Sequence, residues 1–266
     1  SYPYEKLVQE LQRCPCAVTA EGCVDAQKLH LIHALSQEPA LRTRSRFRLI
    51  LTYSDQRARQ IRDANLFYDR TTVLFPAKDL IFYQADLRGK ELDKERISCL
   101  RRLVEGRPTT IVTTFSALMT PQVPLAELQK SVIEVEKGEE ISLTETARKL
   151  AVLGYEKNYQ VERPGQFAIR GDILDIFELT QDNPYRIELW GDEVESIRSF
   201  DVLSQRSEEN LSSVRIFPAT DMILSDRRLH DGLLRVQKEA DETEEKYIKQ
   251  GMTEEAHRLR TNVKEM

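Results

Sequence analysis

The eight residues Val18-Thr19-Ala20-Glu21-Gly22-Cys23-Val24-Asp25 run into the helix-like stretch Ala26–Leu35 with the outline of a phosphate-binding loop. Such a loop needs glycines that let backbone N–H groups approach phosphate oxygens, a lysine for the terminal phosphates, and a Ser or Thr for magnesium. Gly22 occupies the place of the pattern's second glycine, but Cys23 and Val24 follow where the lysine and the hydroxyl belong. Neither can supply an ammonium or a hydroxyl. Lys28 lies farther along, inside the helix, and is expected to point away from the loop. Gly22, Cys23 and Val24 therefore read as a strand-to-helix connection with the shape of a nucleotide loop and no ligand, so neither ATP nor magnesium is expected for this chain.

Other reactive groupings are equally sparse. His30 and His33 share a helix at a spacing of three, but no cysteine or carboxylate cluster flanks them. Ser54 and Ser116 lack the Gly-x-Ser-x-Gly elbow that activates a nucleophile. The four cysteines, Cys14, Cys16, Cys23 and Cys99, include one close pair with a single residue between, whereas zinc sites use wider pairs in duplicate, so reduced structural thiols are expected. No catalytic residue, no metal site and no enzymatic activity are expected. Arg170-Gly171-Asp172 reads as a strand turn. The arginines at 42, 44, 46, 48, 57, 59, 62 and 70 read as solvated faces, since Asp55, Asp63 and Asp69 lie among them without base-stacking aromatics.

The elements that must position these residues follow from patterning. Apolar and β-branched runs predict strands at Phe47–Thr52, Thr71–Phe75 and Thr109–Thr114, separated by a helix that Ser54 caps and another that Asp93 opens and Gly106 follows. Strands alternating with helices imply a parallel, layered α/β domain of the P-loop type. Beyond Pro121 the texture changes. A strand at Val132–Val135 precedes a helix opened by the capping box Ser142–Glu145 and ended by Gly154. Turn signals then punctuate strands at Phe167–Arg170, Ile173–Phe177, Tyr185–Trp190 and Val194–Ile197, which predicts an α+β domain with a curved antiparallel sheet.

After Pro218 the chain is charged and helical. It is expected either to dock on something absent or to be a fragment. With 39 Lys+Arg against 44 Asp+Glu the net charge is -5, so bulk charge will not draw the chain to polyanions. No apolar run approaches the ~20 residues that span a bilayer, and the N-terminus lacks a signal-peptide pattern, so a cytoplasmic protein without membrane contact is expected.

Within Tyr185–Trp190, the residues Arg186, Glu188 and Trp190 alternate and share one face of the strand. Two arrangements are compatible with this. Trp190 can fill the domain's own core while Arg186 pairs with Glu188 or Glu195. Alternatively, this face is open and an exposed tryptophan beside arginines anchors a partner.

A run of linked motifs narrows the reading. RPGQFAIRGDILDIF at Arg163–Phe177, PYRIELWGDEV at Pro184–Val194, SIRSFD at Ser196–Asp201, Ser204-Gln205-Arg206 and IFPA at Ile216–Ala219 resemble the N-terminal UvrB-like region of bacterial transcription-repair coupling factors (Mfd), and are similar to the nucleotide-excision-repair protein UvrB. Phe75-Pro76-Ala77-Lys78-Asp79 and VTTFSALM at Val112–Met119 extend the resemblance into the first part. It implies a degenerate ATPase-like domain at 1–118, a UvrA-binding α+β domain at 119–217, and at 218–266 the truncated start of a returning helical part of the first domain. The family's UvrA-contacting positions fall by motif on Arg170, Arg186 and Trp190, which favours the open face. Cys23 and Val24 replace the P-loop pair that UvrB carries, and Phe82-Tyr83-Gln84 is followed almost at once by the charged helix, without UvrB's aromatic DNA-gripping hairpin. The resemblance therefore implies an adaptor that recruits UvrA to stalled RNA polymerase, with the motor, the polymerase and DNA contacts, and their ATP and magnesium outside this chain. The rival reading is a UvrB-like fragment that binds nucleotide and DNA itself.

Overall fold

The computed structural model describes residues 2–13, 17–42, 46–78, 87–120, 122–221, 243–244, 246–248 and 252. The chain divides into two compact units, Ser1–Asp221 and Met222–Met266. In the second unit, residues 243–244 and 246–248 are helical, Met252 is not in a helix, and the other residues of the expected charged helical segment from 222 onward lie outside the described residues. So do Cys14, Cys16 and Phe82-Tyr83-Gln84.

The first unit opens with three helices, α1 (Tyr2–Arg13), α2 (Asp25–Gln37) and α3 (Pro39–Arg42). Residues 17–24 are irregular, so the expected strand leading into the Gly22 loop is not found among the described residues. A parallel sheet follows in the order β1-β3-β2, from Phe47–Thr52 (β1), Thr72–Phe75 (β2) and Thr109–Thr114 (β3). Its central strand, β3, is the last in sequence, so helical crossovers must carry the chain between the strands. These are α4 (Asp55–Asn65) and α5 (Leu87–Val104). The Ser54 hydroxyl caps α4 by accepting from the Arg57 N–H at 3.2 Å. Ala58 of α4 packs with Leu74 and Val112, joined by Ile50 and Ile61.

α5 begins six residues before Asp93, which the sequence pattern marks as its cap. Asp93 is instead buried inside the helix and accepts from Lys78 Nζ at 2.8 Å. That lysine also donates to Asp221 at 2.7 Å, and Arg96 Nε donates to the other Asp221 oxygen at 2.7 Å. Arg96 further reaches the Pro76 carbonyl and the Gln122 side chain, both at 2.7 Å, and stacks on Phe75. Among the described residues, two cations and two anions are thereby buried together, each paired with an opposite charge, which meets the condition for burying charge. The cluster ties the point where the chain leaves its last strand to α5.

Two short helices, α6 (Phe115–Met119) and α7 (Leu125–Ser131), lead to β4 (Ile133–Glu136) and α8 (Leu143–Val152). As expected, Ser142 caps α8 by accepting from Glu145 N–H at 3.3 Å, and Gly154, at φ +88°, takes the left-handed conformation that ends it. The remaining strands are β5 (Glu156–Lys157), β6 (Gln166–Arg170), β7 (Ile173–Phe177), β8 (Tyr185–Trp190), β9 (Glu193–Phe200), β10 (Ser207–Leu211) and β11 (Ser213–Ile216). β5 to β10 form a six-stranded sheet in sequential order, antiparallel except for the β5–β6 pair, while β11 pairs with β4 in a separate ribbon. The expected α/β character and hairpin-joined strands are present. β10 carries no apolar alternation and β11 alternates over only four residues, Ser213–Ile216; neither is expected from the sequence.

One face of the six-stranded sheet is buried, with Phe167, Leu174, Ile176, Ile187, Leu189, Val194 and Ile197 in its interior. On the other face, Val161, Ala168, Phe177 and Phe200 form a small core at one end, with Val202 against it. The rest of that face is open.

Candidate functional site

Cross-strand register builds the open face. Ala168 on β6 lies opposite Asp175 on β7, Asp175 opposite Arg186 on β8, and Arg186 opposite Arg198 on β9. Residues directly opposite one another share a face, so Asp175, Arg186 and Arg198 line one row. Two and four positions farther along β8, on the same face, lie Glu188 and Trp190. A bulge opposite Glu188 and Leu189 inserts Glu195 into β9 there.

Asp175 is the centre of the arrangement. Its side chain is 1% exposed, and it receives Arg186 in two bonds, from Nε at 2.7 Å and Nη2 at 2.8 Å. Arg170 adds a third through Nη2 at 2.7 Å. A bidentate charge-assisted pair is the strongest ordinary hydrogen-bonding mode, and here it fixes the plane of the Arg186 guanidinium. Phe200 supports that plane from one side, with the guanidinium carbon 4.2 Å from the ring centroid, and Gln205 accepts from Nη2 at 3.1 Å. The hydrogen bonds to Asp175 raise the Arg186 pKa further, against the opposing effect of burial.

The three candidate residues are thus on one face but differ in access. Trp190 is 80% exposed, the Arg170 side chain is 33% exposed, and that of Arg186 only 13%. Trp190 does not fill the core, and Arg186 does not pair with Glu188 or Glu195. Glu188 is taken by Arg198 and by the Ser196 hydroxyl, the latter at 3.0 Å. Ile187 and Leu189 point the other way and are buried, which leaves Trp190 as the projecting end of the strand. Asp175 and Gln205 lie within the family-like motifs at Arg163–Phe177 and Ser204–Arg206, but the sequence alone gives neither a role at this site. The available signal was Asp175 itself, a lone carboxylate inside the apolar run Ile173–Phe177.

The loop at Gly22 has a different character. Gly22 sits at φ +78°, Val24 is 63% exposed, and the Val24 N–H is taken by Gln27 Oε1 at 3.1 Å. In the first turn of α2, Asp25 pairs with Arg57 at 2.6 Å and with Lys28 at 3.4 Å. Hydrogen bonds and charge from Arg57, aided by Lys28, hold the Asp25 carboxyl below its ordinary pKa. A carboxylate therefore lies where an anion would approach the helix N-terminus, and its charge opposes phosphate. Lys28 turns to Asp25.

The other reactive groups have structural partners. His30 and His33 lie against Tyr68 at ring separations of 6.0 and 5.4 Å. Ser54 is a helix cap, and Ser116 lies 3.0 Å from Thr114 Oγ1. Arg48 pairs with Asp69, Arg59 with Glu95 and Arg62 with Asp63, so the first sheet's arginines are largely neutralised. Burial pushes the Cys99 thiol up to about 12, which makes it inert near neutrality. Among the described residues, no His, Cys, Asp and Glu cluster could hold a metal ion, and no helix is long and apolar enough to cross a membrane.

Comparison with known proteins places these features in context. Residues 133–222, which contain the whole open face, match the UvrB interaction domain. The chain is similar to the transcription-repair-coupling factor of Bacillus subtilis (strain 168), with 35% identity over 177 residues, covering 66% of the chain and 15% of that protein. It is also similar to UvrABC system protein B of Synechococcus sp. (strain JA-3-3Ab), 31% identical over 192 residues, covering 72% of the chain and 28% of the relative. UvrABC system protein B of Thermosipho africanus (strain TCF52B) is 31% identical over 194 residues, covering 73% and 29%. The chain thus spans less than a third of the length of each relative.

Proposed function

For a chain whose residues 133–222 match the UvrB interaction domain, we propose a non-catalytic adaptor of nucleotide-excision repair that binds UvrA through the open face of its six-stranded sheet. The observation that carries the reading is the exposure of Trp190, 80%, on the same face as two arginines held by one buried carboxylate. Exposing a tryptophan on a charged sheet face forgoes burial worth roughly 1.5–3 kcal/mol for a large apolar side chain, which an interface recovers. Arg170 and the free edge of Arg186 offer N–H donors to a partner's carboxylates, with the plane of Arg186 already set by its paired bonds to Asp175.

The likeness to transcription-repair-coupling factors extends the proposal. In a longer protein this unit would recruit UvrA to a stalled RNA polymerase, with the polymerase and DNA contacts and the ATP-driven motor carried by other domains. Arg170, Arg186 and Trp190 are the proposed contact residues. The Gly22–Val24 loop is proposed to leave ATP unbound, for the reasons of chemistry and charge given above.

The test is titration of the 266-residue chain with purified UvrA, followed by isothermal titration calorimetry, which needs no tryptophan signal, and by co-elution on gel filtration. Trp190→Ala and Arg170→Ala remove exposed groups without opening the core, so both variants are expected to stay folded and to lose about tenfold or more in affinity. Failure of the folded wild-type chain to bind UvrA at micromolar concentrations would overturn the proposal. Saturable, magnesium-dependent ATP binding would overturn the part concerning the loop.

A further inference from the structure

The connection between β9 and β10 carries a second candidate anchor. Val202 turns inward against the small core of Val161, Ala168, Phe177 and Phe200, and the next residue, Leu203, is 94% exposed. A single exposed leucine is ordinary on any surface. What separates this one is how the turn is held and to what.

The backbone N–H of Ser204 donates to Asp201 Oδ1 at 2.7 Å, and that of Gln205 donates to the Asp201 carbonyl at 2.8 Å. Asp201 N–H closes the turn onto the Arg206 carbonyl at 3.0 Å. Gln205, the one non-glycine residue with positive φ among the described residues, at +58°, bridges two structures with its side chain. Its Nε2 donates to the Val202 carbonyl at 2.8 Å, inside the turn, while its Oε1 accepts from Arg186 Nη2. A left-handed glutamine is held against its own preference so that one amide couples the turn to the guanidinium of Arg186.

Leu203 and Trp190 therefore bracket the arginines. Trp190 lies four residues from Arg186 along β8, or about 13 Å at the strand rise, and the Leu203 turn is fastened to Arg186 itself. A standard interface of ~800 Å² per partner is roughly 30 Å across, so both side chains fall within one footprint. Apolar anchors flanking polar contacts match the anatomy of protein interfaces.

We infer that the 201–206 turn is a second part of the UvrA-binding face. Leu203 is an apolar anchor complementary to Trp190, and Gln205 is a positioning residue that keeps the turn and Arg186 in one geometry. This rests on the proposed UvrA-binding reading and adds a requirement on the partner, which must present carboxylate between two apolar pockets rather than beside one.

The experiment titrates UvrA with the 266-residue chain carrying Leu203→Ser, Gln205→Gly, or Phe67→Ser. Phe67, 86% exposed and remote in sequence in the first sheet's region, serves as the control for loss of an exposed apolar group. Leu203→Ser is expected to weaken binding about tenfold with an unchanged melting midpoint, and Phe67→Ser to leave it within twofold. Gln205→Gly relieves the positive φ while cutting the tether, so it is expected to keep stability and weaken binding about fivefold. A merely structural glutamine would show no binding loss in that variant. If the wild-type chain binds, Trp190→Ala weakens it, and Leu203→Ser stays within threefold, this inference is overturned while the UvrA-binding reading stands. If the wild-type chain does not bind, both fall.

Discussion

Asp175→Ala strikes the one group on which the open face depends. The substitution removes a carboxylate whose side chain is 1% exposed and which receives three charge-assisted bonds, two from Arg186 and one from Arg170. Removing one partner of a buried ion pair leaves the other charge uncompensated and costs about 3–5 kcal/mol. Arg170, one-third exposed, can turn to water, whereas Arg186, packed on Phe200, cannot readily do so. The loss should therefore lie near the lower bound, about 3 kcal/mol. At about 2–4 °C per kcal/mol for a unit of this size, the melting midpoint should fall by roughly 6–12 °C. Urea unfolding followed by far-UV circular dichroism gives the free energy directly. The double variant Asp175→Leu with Arg186→Met removes both charges and should lose less than Asp175→Ala alone, because no buried charge is orphaned. A loss below about 1 kcal/mol in Asp175→Ala, or a double variant less stable than the single, would refute the account of the pair.

Other outcomes follow from the same physics. Burial raises the Asp221 pKa but the charges and hydrogen bonds of Arg96 and Lys78 outweigh it, so the folded value lies below the usual 3.8. Its stabilisation is complete above that value and is lost as pH falls through the folded pKa, so urea midpoints should drop more steeply below pH ~4 in the wild type than in Asp221→Asn. Gly154→Ala forces a side chain into φ +88° and puts its Cβ 2.8 Å from Thr220 Cγ2, which should destabilise the chain by about 2 kcal/mol, measured by thermal melting. In a Cys14→Ser, Cys16→Ser background, a thiol reagent should label half-exposed Cys23 promptly and Cys99 only on unfolding. Equal rates would contradict the burial that pushes Cys99 up to about 12.

Much of this architecture was legible in local chemistry. The apolar run at Phe47–Thr52, the β-branched run at Thr109–Thr114, the Ser54 and Ser142 caps, and the glycines at 106 and 154 each act within a few residues of themselves. So does the alternation that puts Arg186, Glu188 and Trp190 on one side of β8. The replacement of the phosphate-loop lysine and hydroxyl by Cys23 and Val24 is likewise a matter of residue type alone.

What failed locally was decided at a distance. Asp93 has the type and neighbours of a helix cap, yet Lys78 draws it inside α5, and that lysine is shared with Asp221, which arrives 143 residues after it. Arg186 has Glu188 two positions away, but the β7–β8 register puts Asp175 directly opposite it, and Glu188 goes to Arg198 on the other neighbouring strand. Sequence determines which side of a strand a residue faces because the pleat has a fixed period of two. Which residue it meets there depends on register between strands, and the buried surfaces of the whole sheet set that register. Hence the face bearing Arg170, Arg186 and Trp190 could be read from the chain, with alternation leaving the tryptophan's exposure open and the family resemblance favouring it, while the carboxylate that holds the arginines came from the tertiary structure alone.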